Sequence, residues 1–85
     1  MGFGKRVDVE GMKARMQALR KEANDLYVDS LDFRAQASDA RLKGDTEKAQ
    51  SLLDAHRTAR EEAARKVAEA QAIYEKTLQD IRDAA

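Results

Sequence analysis

The sequence contains no cysteine, no proline and no tryptophan, and aromatic residues make up only 5% of it. Without cysteine there are no disulfides, no thiolate nucleophiles and no cysteine metal sites. Hydrophobic residues make up 42% and charged residues 38% of the 85 residues. Together with many Ala, Glu, Lys, Arg and Leu residues, this composition is typical of long helices and coiled coils. An all-β fold is therefore excluded.

The chain also lacks an excess of charge of either sign, because 16 basic residues balance 16 acidic ones. No global charge attracts it to nucleic acid or to a membrane, so electrostatic recognition depends on local patches. No apolar run approaches the roughly 18 residues that span a bilayer. The first residues, MGFGKRV, are too short and too charged for a secretory signal. We expect a cytoplasmic location and no membrane partner.

Apolar residues recur at alternating intervals of three and four along the first half of the chain. This spacing is a heptad seam, which predicts a helix over about 8–43 with Asp8 as its N-cap. Residues 1–7 have two glycines and no periodicity, and they are predicted to form a flexible arm. The seam of the first helix consists of Val9, Met12, Met16, Leu19, Ala23, Leu26, Ser30, Phe33, Ala37 and Ala40.

The stretch KGDT at 43–46 predicts that the first helix ends there and that a second helix begins immediately afterwards. Gly44 suits the left-handed conformation that ends a helix, and Asp45 or Thr46 suits the next N-cap. We therefore predict a turn at about 44–46 and a second helix over about 46–83. Its predicted seam is Ala49, Leu52, His56, Ala59, Ala63, Val67, Ala70, Tyr74, Leu78 and Ile81. Consecutive four-residue steps near two of these positions predict a locally straighter helix.

The predicted fold is all-α, an antiparallel, coiled-coil-like two-helix hairpin that forms a single domain over 8–85. Folding at the turn sets large seam residues mostly against small ones, so the helices approach closely. A single uninterrupted helix is the alternative, and it is disfavoured because Gly44 followed by Asp45 and Thr46 is unfavourable inside a helix. So short a chain has a thin core, which favours pairing of two hairpins into a four-helix bundle.

Several apolar residues lie off the seam, where a two-helix hairpin cannot bury them. On the first helix they form an outer stripe of Val28, Leu31, Ala35 and Leu42. Exposed stripes of this kind usually mark an interface, although a few exposed aliphatic residues on a small protein are also ordinary. The candidate interface residues are Val28, Leu31, Leu42, Leu53 and Ile73.

Charged residues flank the seam in two rows. The candidate basic edge consists of Arg20, Tyr27, Arg34, Arg41, Arg57 and Arg60. The candidate acidic edge consists of Glu22, Asp29 and Glu62. Like charges that face each other across the bend contribute nothing to folding, so a second copy laid basic edge to acidic edge is one explanation. The alternative is chance, because 38% of the residues are charged.

The sequence offers little to catalysis. The single histidine, His56, falls on the seam, where a packing or hydrogen-bonding role is the expected one. No Glu-x-x-His pair, phosphate-binding glycine loop or paired nucleophile and base is present. We expect a protein that is not an enzyme, with no catalytic residues, no cofactor and no metal site.

One family resemblance rests on two segments, LRKEANDL at 19–26 and AQASDARLKGDTEKAQSLL at 35–53. An alanine-rich helix, a Gly-Asp turn at Gly44 and Asp45, and a second helix resemble the small helical domain that precedes Smr-type nuclease domains. The resemblance covers about 35 residues, and Leu53 and His56 stand where that family has serine and glycine. It implies an accessory role beside a nucleic-acid enzyme and transfers no functional residue.

The sequence therefore favours a non-enzymatic protein–protein interaction module, acting as an adaptor, an assembly factor or a small inhibitor. The expected partner is a second copy of the chain, another protein, or both. The alternative is a nucleic-acid-binding accessory protein that uses the basic edge, with Tyr27 available to stack on a base. Zero net charge and the acidic edge argue against this alternative.

Overall fold

The computed structural model describes residues 7–84 and consists of two long helices, α1 (Val9–Leu42) and α2 (Thr46–Ala84). The helices pack along their lengths as an antiparallel hairpin, and no strand occurs within the described residues. The predicted all-α hairpin is confirmed. The predicted arm lies outside the described residues except for Val7. At 34 residues, α1 is about 50 Å long.

Asp8 caps the beginning of α1. Its carboxylate oxygen Oδ1 accepts a hydrogen bond from the backbone N–H of Gly11 at 2.8 Å. The first turn of a helix has backbone N–H groups without intrahelical partners, and an aspartate in this position satisfies one of them. Glu10 in the same turn adds a negative charge at the positive end of the helix dipole.

The turn between the helices follows from Gly44, whose φ of 81° lies in the left-handed region. The N–H of Gly44 donates to the carbonyl of Arg41 at 3.0 Å, and the N–H of Asp45 donates to the carbonyl of Ala40 at 2.9 Å. This pair of bonds is the Schellman motif that ends many helices. Asp45 then caps α2, because its Oδ1 accepts from the N–H of Lys48 at 3.1 Å. One glycine and one aspartate thus reverse the chain.

The buried residues lie on one seam of each helix and are mostly alanine. On α1 they are Met16, Ala23, Ser30, Ala37 and Ala40. On α2 they are Ala49, Ala59, Ala63 and Ala70. Small side chains on both sides of a helix contact let the backbones approach closely, but they bury little apolar surface each. The hairpin is therefore closely packed with a small hydrophobic core.

The seam of α2 departs from the sequence prediction after Ala63. Partly or fully buried residues continue at alternating steps of three and four, at Lys66, Ala70, Ile73, Thr77 and Asp80. The heptad spacing therefore continues past Ala63, and the predicted locally straighter helix stays a prediction. Of the residues predicted in this part of the seam, Leu78 is partly buried, whereas Val67, Tyr74 and Ile81 are exposed. The physical reason is that a charged residue, Lys66, occupies a seam position: the aliphatic part of a lysine can pack while its ammonium group reaches outward.

The hairpin exposes more surface than a compact protein of its size. Its accessible surface is 6554 Å², whereas a compact monomer of 9.5 kDa exposes about 5,000 Å². Two helices side by side bury only one stripe of each helix, and every other side of each helix faces solvent. Most side chains of the hairpin are therefore exposed to solvent.

Candidate interaction surfaces

The outer stripe is the most exposed apolar surface of α1. Val28 is 57% exposed, Leu31 65% and Leu42 88%, and Ala35 between them is exposed as well. These residues face away from α2, as their sequence positions predicted. Leu53 lies on the other helix, beside the groove between the two helices, and does not continue the outer stripe.

Ile73 does not lie where the sequence analysis placed it. It belongs to the seam of α2 and is only partly exposed. It lines a cavity between the helices together with Met12 and Thr77. Of the five candidate interface residues, Ile73 is therefore a packing residue of the hairpin, because the seam of α2 keeps its heptad spacing past Ala63.

The basic edge borders one of the two grooves between the helices. Arg34 and Arg41 on α1 line this groove together with Leu53 on α2. Further along, Arg20 lines it together with Tyr74 of α2. Because the α1 residues are spaced by seven, they lie on one side of the helix and follow the groove for nearly its whole length. We call it the basic groove.

Arg57 and Arg60 of α2 complete the basic edge, and both are exposed. Arg57 donates through Nη2 to Oδ1 of Asp54 at 2.8 Å, within the same helix. This pair is exposed on both sides, so it contributes little to stability and leaves the guanidinium accessible. Arg60 lies on the seven-residue spacing that begins at Leu53.

An apolar row that the sequence analysis missed lies along the α2 side of the basic groove. It consists of Leu53, Val67, Tyr74 and Ile81, which share a seven-residue spacing with Arg60. Val67, Tyr74 and Ile81 are predicted in the seam, because the prediction follows apolar residues and passes over Lys66 and Asp80. Strict continuation of the heptad from Ala63 would have placed them correctly.

The acidic edge contains a cross-helix ion pair. Lys66 Nζ lies 3.1 Å from Oε2 of Glu22, and the two side chains are 29% and 54% exposed. The hydrogen bond and the charge of Glu22 raise the pKa of Lys66, and the charges of Glu62 and Glu69 raise it further. The predicted acidic edge therefore does not consist of carboxylates alone. An ammonium group from the seam lies among the carboxylates and links α1 to α2.

Carboxylates are unevenly distributed between the two sides of the hairpin although the chain is neutral. On the basic side, the positions spaced by seven from Lys13 to Arg41 and from Leu53 to Ile81 hold no aspartate or glutamate. The carboxylates of Glu22, Glu62 and Glu69 lie on the other side, as their shared effect on Lys66 shows. Charge segregation of this kind favours binding of a partner with a complementary pattern.

His56 has the hydrogen-bonding role expected of it. Its Nδ1 atom lies 2.7 Å from the carbonyl oxygen of Ser30 on the other helix. Within the described residues, no three His, Asp or Glu side chains are grouped so that they could hold a metal ion. His56 therefore contributes to the contact between the two helices of the hairpin.

Comparison with known proteins finds no matching family model, no matching curated protein and no matching solved structure. The resemblance to the helical domain that precedes Smr-type nuclease domains therefore stays a prediction. Within residues 7–84, neither helix is both long enough and apolar enough to cross a membrane.

Proposed function

We propose that this protein is a non-enzymatic protein–protein interaction module that self-associates through α1. The observation that supports this most directly is the outer stripe, which leaves Val28, Leu31 and Leu42 more than half exposed. A hairpin with a mostly alanine core gains stability when a second copy covers such a stripe. Two hairpins paired in this way contain four helices.

The spacing of the outer stripe suits a second helix. Its residues Val28, Leu31, Ala35 and Leu42, with Ser38 between the last two, follow intervals of three, four, three and four. This is the spacing of a coiled-coil seam, separate from the seam that holds the hairpin together. A second copy of α1 presents the same seam and is therefore a matching partner, as in a symmetric dimer.

The charges beside the outer stripe favour a parallel pairing. Arg20 and Arg34 lie along one side, and Asp25, Asp32 and Asp39 lie along the other. In a parallel coiled coil, opposite sides of the two helices meet, so Arg34 of one copy approaches Asp39 of the second. An antiparallel pairing would bring arginine to arginine and aspartate to aspartate.

The existing partner of Asp39 does not prevent this contact. Asp39 Oδ2 lies 3.0 Å from Nζ of Lys43, and these side chains are 64% and 73% exposed. An exposed pair within one helix contributes little, and a carboxylate accepts several hydrogen bonds, so Asp39 remains available to Arg34 of the second copy.

The test is the mass in solution, measured by light scattering coupled to size exclusion over a concentration series. We expect a dimer. Leu31→Glu should weaken the dimer about 30-fold or more, since it places a charge in the centre of the interface. Ala18→Glu adds the same charge to an exposed position of α1 outside the outer stripe and should change nothing. A wild-type protein that is monomeric at every concentration would refute self-association.

The direction of pairing is tested by exchanging charges. Arg34→Asp should weaken the dimer, and adding Asp39→Arg in the same chain should restore it, because each copy then carries the reversed pair. In an antiparallel dimer the double variant would again oppose like charges and would show no recovery.

A second candidate function is nucleic-acid binding, which the acid-free basic groove favours. Arg20, Arg34 and Arg41 could each contact a phosphate, and Tyr27 could stack on a base. Affinity for a single-stranded RNA would then fall steeply with salt, with a slope set by the number of phosphate contacts. Binding that survives salt and is lost in Leu31→Glu would instead indicate an apolar protein interface.

A further inference from the structure

The apolar row of the basic groove is partly sunk between the helices. Leu53, Val67, Tyr74 and Ile81 are between 38% and 46% exposed, whereas the outer stripe is 57–88% exposed at its three large residues. Half-exposed side chains at the floor of a groove are reached by a convex, rod-shaped partner and not by a flat surface. The shape of this surface therefore matches a helix laid along the hairpin.

The opposite wall of the groove is basic along the same length. Lys13, Arg20, Arg34 and Arg41 lie on α1, and all four side chains are exposed. The next positions outward on that side are Glu10, Gln17, Asn24, Leu31 and Ser38, and the one acidic residue among them, Glu10, lies 3.6 Å from Lys13 at the beginning of α1. A partner in the groove therefore meets apolar residues on its α2 side and positive charge on its α1 side.

Neither the basic groove nor the acidic edge of a second copy matches the groove, and the outer stripe of a second copy is the surface that the proposed dimer already covers. Two basic grooves placed face to face would oppose arginine to arginine. The acidic edge supplies negative charge, but its row on α2, spaced by seven from Lys48 to Lys76, holds one apolar residue, Ala55. It cannot cover Val67 or Ile81 with apolar surface.

Nucleic acid and membrane surfaces match less well than a helix. A phosphate backbone suits the arginines but leaves Leu53, Val67 and Ile81 beside charged oxygens, which is unfavourable for apolar groups. A bilayer surface is flat, and it contacts the exposed outer positions of a helix before it reaches a recessed row. A protein helix satisfies the apolar and the basic wall together.

We propose that the basic groove binds an acidic amphipathic helix of a partner protein, so that the complex is a three-helix bundle. The partner helix has an apolar stripe with intervals of three and four, bordered by Glu or Asp on the side that faces α1. The row from Leu53 to Ile81 corresponds to a partner helix of about 28 residues. This inference rests on the proposed function as an interaction module, but its apolar contacts, Leu53, Val67 and Ile81, lie on α2 and not on the outer stripe used for self-association.

The test uses a synthetic, fluorescein-labelled 28-residue helical peptide as the probe, with leucine at the stripe positions and glutamate beside them. The control peptide has lysine in place of every glutamate. Fluorescence anisotropy with the full chain should give at least a tenfold lower Kd for the glutamate peptide. Equal affinity for both peptides, or no binding of the glutamate peptide, would overturn the proposal.

Matched variants locate the binding on the groove. Val67→Glu should weaken binding of the glutamate peptide at least tenfold, whereas Ala68→Glu, one residue further and facing solvent, should leave it unchanged. Arg60→Glu is a second variant at an exposed position and should weaken binding in the same direction. Equal effects of Val67→Glu and Ala68→Glu would show that the groove is not the binding site.

Two further probes cover the other classes of partner. A labelled 20-nucleotide single-stranded RNA and vesicles containing phosphatidylserine are titrated with the same variants. Stronger binding of either probe than of the glutamate peptide, lost in Arg60→Glu, would overturn the proposal in favour of that class.

The outcomes for the groove and for self-association are separable. Val28→Glu, at a position of the outer stripe one row further from the basic groove than Leu31, should weaken the dimer and leave peptide binding unchanged, and Val67→Glu should do the reverse. A dimer that does not bind the peptide would refute the groove proposal alone. A monomer that binds the peptide would refute self-association alone.

Discussion

The Nδ1 atom of His56 lies 2.7 Å from the carbonyl oxygen of Ser30, and this contact joins two helices across 26 residues of sequence. A carbonyl oxygen only accepts hydrogen bonds, so Nδ1 carries the proton and donates. Ser30 is 2% exposed, and its hydroxyl donates to the carbonyl of Tyr27 at 2.7 Å. This small polar residue in an alanine-rich seam therefore has its hydrogen bonds satisfied.

Replacing His56 with leucine should destabilise the hairpin. The substitution keeps an apolar group of similar bulk but removes the donor to Ser30, which corresponds to a loss of about 1 kcal/mol. In a domain of this size, such a loss lowers Tm by about 4–8 °C. His56→Asn is the control, because its amide nitrogen can replace Nδ1 as a donor, and it should lose less if the bond matters. Circular dichroism during heating measures both, and an unchanged Tm for the leucine variant would contradict the prediction.

The ion pair of Lys66 and Glu22 should make stability depend on pH in the alkaline range. The pKa of Lys66 is raised from its ordinary value of 10.5, first by its hydrogen bond to Glu22 and then by the surrounding carboxylate charges. A raised pKa in the folded state means that the stabilisation is fully present below that ordinary value. It is lost as the pH rises through the pKa of the folded state.

The measurement compares wild type with Lys66→Met over a pH series, because other lysines and tyrosines titrate in both proteins. The difference in free energy of unfolding, obtained from urea denaturation, should be constant from pH 7 to about 9.5. It should then shift against the wild type above about pH 10.5. A difference that stays constant at every pH would show that the pair adds nothing to folding.

The sequence predicted the helices and the turn because the responsible signals are local. Asp8 and Asp45 each accept a backbone N–H three residues onward, and Gly44 has the positive φ that a left-handed helix end requires. Such signals depend on a few neighbouring residues and do not require knowledge of the partner helix.

The C-terminal half of the α2 seam could not be assigned by apolarity alone. By residue type, Lys66 is expected at the surface and Val67 in the core. The structure has the opposite arrangement, because α1 packs against the side of α2 that carries Lys66. Glu22 on α1 supplies the partner that makes a lysine favourable at the seam. The apolar row was missed for the same reason, since Val67, Tyr74 and Ile81 had been assigned to the interior.

Gly44→Ala should destabilise the hairpin by about 1 kcal/mol. The φ of Gly44 is 81°, and an added Cβ would meet no atom within 4 Å, so the loss arises from the backbone conformation alone. Gly44→Asn is the matched comparison, because asparagine tolerates the left-handed region better, and it should lose less. Urea denaturation measures both, and equal losses for the two variants would contradict the conformational explanation.

Substitution of Ala63 by a larger residue tests whether the two helices pack closely. Ala63 is 0% exposed, whereas its neighbour Ala64 is exposed. Leucine is a good helix former at either position, so helix propensity does not separate the two variants. Ala63→Leu must force the backbones apart or distort neighbouring side chains, which costs about 1–3 kcal/mol, whereas Ala64→Leu should remain within about 0.5 kcal/mol of wild type. Denaturant titration of the two variants decides the matter. A destabilised Ala63→Leu beside an unchanged Ala64→Leu would mean that the hairpin depends on small residues at its seam, and equal stability of both variants would mean that the helices are far enough apart to admit a larger side chain.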